Sequence, residues 1–291
     1  MQLSKRDWLR LVCAFGASNS KMWRFIDPDY PAESFEMLSS NSALQNEPHV
    51  RAFKRVTSEQ LDMIFECCER HNISVVTLSD DDYPERLREI DDPPALLFVL
   101  GDVSVLNDTP TAAVVGARDC CEYSAKAAGW FSSELATRGV CVVSGFARGI
   151  DTAAHEGALA VEGSTVAVLG CGILHDYPRG TMRRKAEIAQ RGAVISEYLP
   201  TSSPLAENFK VRNRLITGLA DCVLVAEAGE RSGSLNSAGH AADQGKELFV
   251  LPPHDIFSPS FKGQTALLED GAQLALSPND ILRYLRKNYS I

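Results

Sequence analysis

The sequence contains no Cys-x-x-Cys pair, and its six histidines are scattered. A structural zinc site needs ligands paired at chelating spacing, so no metal centre is expected. The eight cysteines, with adjacent pairs at Cys67–Cys68 and Cys120–Cys121, read as buried free thiols. Long apolar runs are missing too: Ala95–Leu100 is strand-sized, far short of the roughly 20 residues a membrane span requires. Charges at Lys5, Arg6, Asp7 and Arg10 leave no apolar signal-peptide core at the N-terminus. A cytoplasmic protein with no membrane partner is expected. No G-x-G-x-x-G loop precedes an acidic ribose-binding residue, and there is no Walker A or G-x-S-x-G sequence. That argues against a dinucleotide dehydrogenase, a P-loop NTPase and a nucleophile-elbow hydrolase. Positive charge is also scarce: 29 Lys and Arg stand against 38 Asp and Glu, a net charge of -9. Such acidity opposes generic nucleic-acid binding but not a local basic patch, because binding responds to the field at a site.

What is present is an ordinary globular composition, 45% apolar and 23% charged, in 291 residues. This suits one large unit and one small one. Residues 1–72 read as a small helical, SAM-like domain: Leu3, Trp8, Leu11 and Val12 sit at helical spacing, as do Phe53, Val56, Leu61, Ile64 and Phe65. Thr57–Gln60, T-S-E-Q, is a capping-box start. Strand-like runs at Val75–Leu78 and Leu96–Leu100 then flank an acidic, proline-bearing connector, in which Asp80–Asp82 read as a solvated turn. From Thr111 onward, strands predicted at Ala112–Val115, Val140–Val143, Thr165–Leu169, Ala193–Ser196, Cys222–Ala226 and Glu247–Leu251 alternate with helices. Those helices are expected near Tyr123–Thr137, Thr152–Val161, Thr181–Gln190, Val211–Leu219 and Ser234–Gln244. Strands apolar on both faces, alternating with helices, specify an α/β fold: a Rossmann-like, doubly wound, mainly parallel sheet over residues 73–291.

In such sheets ligands bind outside the carboxyl ends of the strands. Four of those ends carry glycine-rich sequences: V-V-G-A-R-D, S-G-F-A-R-G-I-D, L-G-C-G and E-A-G-E-R-S-G-S-L. Glycine lets the backbone approach a ligand, and the helix that follows offers unpaired N–H groups, a combination suited to phosphate. His155, one turn past Asp151, is a weak candidate base; helix capping by Asp151 is the alternative. Ser144, Ser232 and Ser234 offer hydroxyls without a triad signature. Between Tyr177 and Arg214 lie eight basic residues (Arg179, Arg183, Arg184, Lys185, Arg191, Lys210, Arg212 and Arg214) and three acidic ones, an excess of five positive charges in an acidic chain. Phe209 beside Lys210 adds an aromatic face on which a base could stack. Core packing for Phe209 and surface ion pairs for the arginines are the competing readings.

Five blocks occur in one order: VVGARDCCEYS at 114–124, VVSGFARGIDTAAHEGAL at 142–159, TVAVLGCGILHDYP at 165–178, NFKVRNRLITGL at 208–219 and RSGSLNSAGHAADQGKELFVLP at 231–252. With the lead-in at 78–102, they make the chain from about residue 75 resemble the DNA-processing protein A family, DprA or Smf. The resemblance implies a non-enzymatic protein that binds single-stranded DNA without reading its sequence. It implies dimerisation through the Rossmann-like domain and loading of the recombinase RecA in natural transformation, with no cofactor. The DNA pocket it implies comprises Arg118, Ser144, Gly145, Arg148, Gly149, Phe209, Lys210, Arg212, Asn213 and Arg214. There are departures. Lys210 stands where a proline often follows the phenylalanine, and Leu251-Pro252-Pro253 stands where many relatives have V-P-G. No C-terminal winged helix is expected, and FGASNS at 15–20 is a poor substitute for a glycine-rich DNA-binding hairpin. The runner-up reading is a nucleotide-binding or phosphoribohydrolase-like Rossmann protein. It lacks the P-G-G-x-G-T-x-x-E loop, for which GERSGSLNSAGH stands. A candidate dimer surface lies in Leu235–Leu276, with Ile256, Phe257, Leu267 and Leu268.

Overall fold

The computed structural model describes residues 2–17, 20–41, 44 and 46–291; Ser18 and Asn19 of the FGASNS stretch lie outside the described residues. The chain opens with α1 (Lys5–Phe15), α2 (Pro31–Ser40), α3 (Pro48–Arg55) and α4 (Ser58–Arg70). The T-S-E-Q signal is realised: Thr57 accepts the Gln60 N–H while the Gln60 side chain accepts the Thr57 N–H. Trp8, Leu11, Phe53 and Leu61 are buried, so the helical spacing in the sequence marks the inward faces. These helices do not enclose a core of their own. They share one continuous apolar cluster with the neighbouring sheet edge, and Lys5 Nζ donates to Val75 O (2.7 Å) and Trp8 Nε1 to Ser79 Oγ (3.0 Å) across the junction. Asp80 closes the acidic turn by accepting the Thr77 N–H at 2.8 Å and pairing with Lys5 at 3.3 Å.

Beyond them come β1 (Ser74–Thr77), α5 (Glu85–Arg88), β2 (Leu96–Gly101), α6 (Val105–Asp108), β3 (Thr111–Gly116), α7 (Glu122–Thr137) and β4 (Cys141–Ser144). The order continues with α8 (Ile150–Ala160), β5 (Thr165–Val168), α9 (Met182–Arg191), β6 (Ala193–Ser196), α10 (Ala206–Gly218) and β7 (Cys222–Glu227). The last elements are α11 (Gly233–Asp243), β8 (Glu247–Val250), α12 (Lys262–Glu269), β9 (Gln273–Leu274) and α13 (Pro278–Leu285). The strands form one sheet in the order β1-β2-β6-β5-β4-β3-β7-β8-β9, antiparallel at β1/β2 and β2/β6 and parallel elsewhere. Successive residues of the central strands serve opposite faces: Ala113, Val115, Val223 and Val225 belong to one core, Ala112, Val114, Leu224 and Ala226 to the other. Burial on both faces is why these strands read as unbroken apolar runs. The α/β, doubly wound architecture expected from the sequence is the one observed.

Three local differences matter. β9 is only two residues long and carries too little pattern to be seen in the sequence. α8 starts at Ile150 rather than Thr152, directly after Gly149. α10 starts at Ala206, not Val211; A-E-N-F-K has one large apolar residue, so no helical period marks that start in the sequence. Phe209 and Lys210 therefore stand on the first turns of a helix rather than in a loop.

Candidate functional site

The chain runs from β3 through β4, β5 and β6 on one side, then crosses back to place β7 on the other flank of β3. The crevice outside the carboxyl ends of β3 and β7 is the topological switch point where α/β sheets bind ligands. The pairing of the two strands is irregular there: their register shifts at Val115/Gly116, after which Gly116 pairs with Glu227. A cavity of about 850 Å³ opens at this place. A smaller one of about 350 Å³ adjoins it, and Arg118, Ala147, Tyr177 and Phe209 line both.

Gly149 fixes the loops after β3 and β4 against each other. It takes φ 78°, and a Cβ there would stand 2.4 Å from Ala117 O and 2.6 Å from Arg118 O. Only glycine permits both the left-handed backbone and that approach. Ile150 N donates to Ala117 O at 3.2 Å, Asp151 accepts the Ala147 N–H at 3.1 Å, and Thr152 Oγ1 donates to Ala147 O at 2.9 Å. Asp151 thus closes the loop before α8 instead of capping the helix. Arg118 and Arg148 project from this scaffold and are exposed.

Phe209 is half-buried at the boundary of the two cavities. Its ring centroid lies 5.3 Å from that of Tyr177, 5.4 Å from the Arg118 guanidinium carbon and 5.7 Å from that of Arg212. Gly170 makes room for it, since a Cβ there would come within 2.8 Å of the ring. A partly exposed aromatic face held between a tyrosine and two guanidinium groups is neither core packing nor a free platform, but a braced one.

The other expected site residues separate into two groups. Lys210 and Asn213 line the larger cavity, and Gly145 and Arg148 the smaller. Asn213 also joins α10 to α11 through Asn236 Oδ1 at 3.1 Å and Gly233 O at 3.4 Å. Arg212 reaches the cavity wall but is 3% exposed, donating to Gly145 O at 2.7 Å and to Val168 O. Burial pushes its guanidinium down to about 10, with Asp151 pulling the other way. It is a wall that holds the Gly145 loop more than a hand extended to a ligand. Two residues require correction. Ser144 is fully buried, its hydroxyl donating to Val114 O at 2.7 Å, and it lines neither cavity. Arg214 lies on the opposite side of α10, where it forms a bidentate ion pair with Glu197 at 2.9 and 2.8 Å and approaches Asp92 at 3.4 Å. Burial lowers its pKa, but Glu197 and Asp92 outweigh that and hold it above its ordinary value.

The basic island of the sequence is similarly dispersed. Arg183 pairs with Glu187, Arg184 with Glu156 and Arg191 with Glu162, while Lys185 is buried and donates to Ile173 O and His175 O. Among the described residues, the exposed cavity-lining cations without a carboxylate partner are Arg118, Arg148, Arg179, Lys210 and Arg231. Sequence reasoning did not assign Tyr177, Arg179, Arg231 or Glu227 to the site. Tyr177 and Arg179 share the segment after β5, while Glu227 ends β7 and Arg231 follows it within the glycine-rich stretch E-A-G-E-R-S-G-S-L.

His155 is not part of the site. It is fully buried with Nδ1 2.8 Å from Thr165 Oγ1, and its Nε2 has no partner among the described residues. Burial pushes its pKa down to about 3. A histidine neutral in the fold but protonated when unfolded removes stability as pH falls from about 6.5 towards 3, by at most about 1.4 kcal/mol per pH unit. Urea unfolding at pH 7 and pH 5 should show this loss, and a His155→Asn variant should show a smaller one. Equal slopes would mean that another group sets the acid limb.

The family model described as DNA recombination-mediator protein A matches residues 74–286. The DNA processing protein DprA of Bacillus subtilis (strain 168) is 33% identical over 226 residues, 78% of this chain and 76% of the relative. Protein Smf of Escherichia coli (strain K12) is 42% identical over 219 residues, 75% of this chain but 58% of the relative. Among solved structures, that of DNA processing protein A (DprA) from Streptococcus pneumoniae matches with a TM-score of 0.81 at 31% identity, covering both chains fully. DNA processing protein A from Helicobacter pylori, described for its unique single-stranded DNA binding mode, matches with a TM-score of 0.67 at 33% identity, over 76% of this chain and 99% of that one. With the family model spanning the whole sheet and its crevice, this chain belongs to the DNA recombination-mediator protein A family.

Proposed function

We propose that this protein binds single-stranded DNA along the crevice without requiring a recognition sequence, and acts by binding rather than catalysis as a recombination mediator. In this reading it loads the recombinase RecA onto strands taken up in natural transformation, working in the cytoplasm. Among the described residues, no helix is long and apolar enough to cross a membrane. The observation that carries the reading is the braced Phe209 at the boundary of two adjoining cavities that are lined, among the described residues, by five exposed cations without a carboxylate partner. Such a rim neutralises phosphates, and the ring stacks a base; both contacts tolerate any sequence. Gly145 leaves room for the Arg212 and Asp151 side chains behind the loop, Gly149 locks that loop against the Arg118 turn, and Asn213 ties α10 to α11.

The protein is proposed to act as a homodimer through its sheet-bearing unit. Ile256 and Phe257 are 67% and 86% exposed, and Leu276 is 67% exposed, whereas Leu267 and Leu268 are partly buried in the subunit's own core. A dimer would present two crevices to one strand, so their affinities combine.

Fluorescence anisotropy with oligothymidylates of increasing length tests the reading. Affinity should grow with length and fall steeply with salt. Neutralising five phosphates on a single strand would give a log–log slope of about -3.5. Duplex should compete poorly. Saturation by AMP with a flat salt response would instead favour a mononucleotide pocket.

A further inference from the structure

The cavity has a floor opposite in sign to its rim. Glu227, the last residue of β7, lines it while being 2% exposed. Its Oε2 accepts the Cys121 N–H at 3.0 Å; its Oε1 has no hydrogen-bond partner, and no cation pairs with it, among the described residues. The nearby hydroxyls do not neutralise it: Ser232 and Ser234 bond to each other at 2.6 Å, and Ser234 Oγ also contacts Glu227's own carbonyl oxygen at 3.3 Å. Asp151, 7% exposed, is a second carboxyl group in the same wall.

A phosphate is disfavoured directly against such a floor, because like charges repel. A neutral group that presents N–H donors can. The volume of about 850 Å³ lies within the range of about 300–1,000 Å³ usual for small-ligand pockets, so a nucleobase fits. We propose that the Glu227 floor is a nucleobase subsite that accepts one base by its donor edge, guanine before the others; this rests on the single-strand reading above. Guanine offers N1–H and N2–H side by side, and the carboxylate can take both, since Oε2 keeps a lone pair after bonding Cys121. Adenine and cytosine offer one amino group each. Thymine offers N3–H between two carbonyl oxygens that face the carboxylate, so it is disfavoured. The rim therefore sets affinity for any strand, while the floor adds a preference at one position.

The test compares an oligothymidylate with the same strand carrying one internal guanosine, and with one carrying inosine, which lacks the N2 amino group. Wild type should favour the guanosine strand by about tenfold, as a good bidentate pair does, with inosine between. Glu227→Gln retains an acceptor for the Cys121 N–H and can turn an amide N–H₂ into the cavity. It should lose the guanosine preference and bind oligothymidylate more tightly than wild type. Equal wild-type affinity for guanosine and thymidine strands overturns the subsite and needs no variant. A preference that survives in folded Glu227→Gln also overturns it. If wild type binds no strand at all, the single-strand reading fails and the subsite with it.

Discussion

Arg214→Ala should lower the unfolding free energy by about 3–5 kcal/mol, the cost of removing one partner of a buried ion pair and stranding the other. Glu197 is 2% exposed and would keep a charge with its bidentate partner gone, and Asp92 would lose the same guanidinium. A urea titration of wild type and variant measures the effect. The informative part is the pairing with DNA affinity: once the variant is held under conditions where it is folded, single-strand affinity should be near that of wild type. A variant that is as stable as wild type yet fails to bind would place Arg214 at the strand and reverse the assignment made from its geometry. Arg214→Lys should recover only part of the stability, because an ammonium cannot match both carboxylate oxygens as the planar fork does.

Phe209→Ala shows the opposite signature. Removing a stacking platform should cost about 1–3 kcal/mol of single-strand affinity, roughly five- to 150-fold, with a small change in stability because the ring is only half-buried. Arg118→Ala removes a phosphate contact and one side of the brace around the same ring. It should weaken binding and flatten the salt dependence, whereas Phe209→Ala should leave the salt slope nearly intact. Combining the two changes should cost less than the sum, since residues in contact do not act independently. Additive losses would mean that the arginine and the ring serve the strand separately.

These two residues also show what the sequence could and could not convey. The strands were legible because burial on both faces leaves an unbroken apolar run, and the Gly-rich loops were legible because close backbone approach demands glycine. The facing of α10 was not. Helical geometry sets Arg214 about 140° around the axis from Phe209, while Asn213 is about 40° away. That separation follows only if the helix is known to begin at Ala206, and the polar stretch before Val211 concealed its start. The count of positive charges misled for a related reason: Glu156, Glu162 and Glu197 come from other elements, and linear spacing does not reveal who pairs with whom. Glu227 was overlooked because an acidic residue at a strand end ordinarily reads as the start of a solvated loop.

The crevice is assembled from segments after β3, β4, β5, β6, β7 and β8 together with the first turns of α10 and α11, spread from Val115 to Ser260. The ring of Phe209 and the Glu227 floor share the α10–β7 stretch, but the groups that brace the ring, Arg118 and Tyr177, come from loops much earlier in the chain. A shortened chain ending before β7 would keep Arg118, Tyr177 and Phe209 but lack the strand that flanks β3, and with it the wall opposite them. Recognition therefore needs the crossover from β6 to β7 in place. A bound strand would in turn clasp distant parts of the chain together, so occupancy should resist unfolding as a whole instead of protecting any one loop.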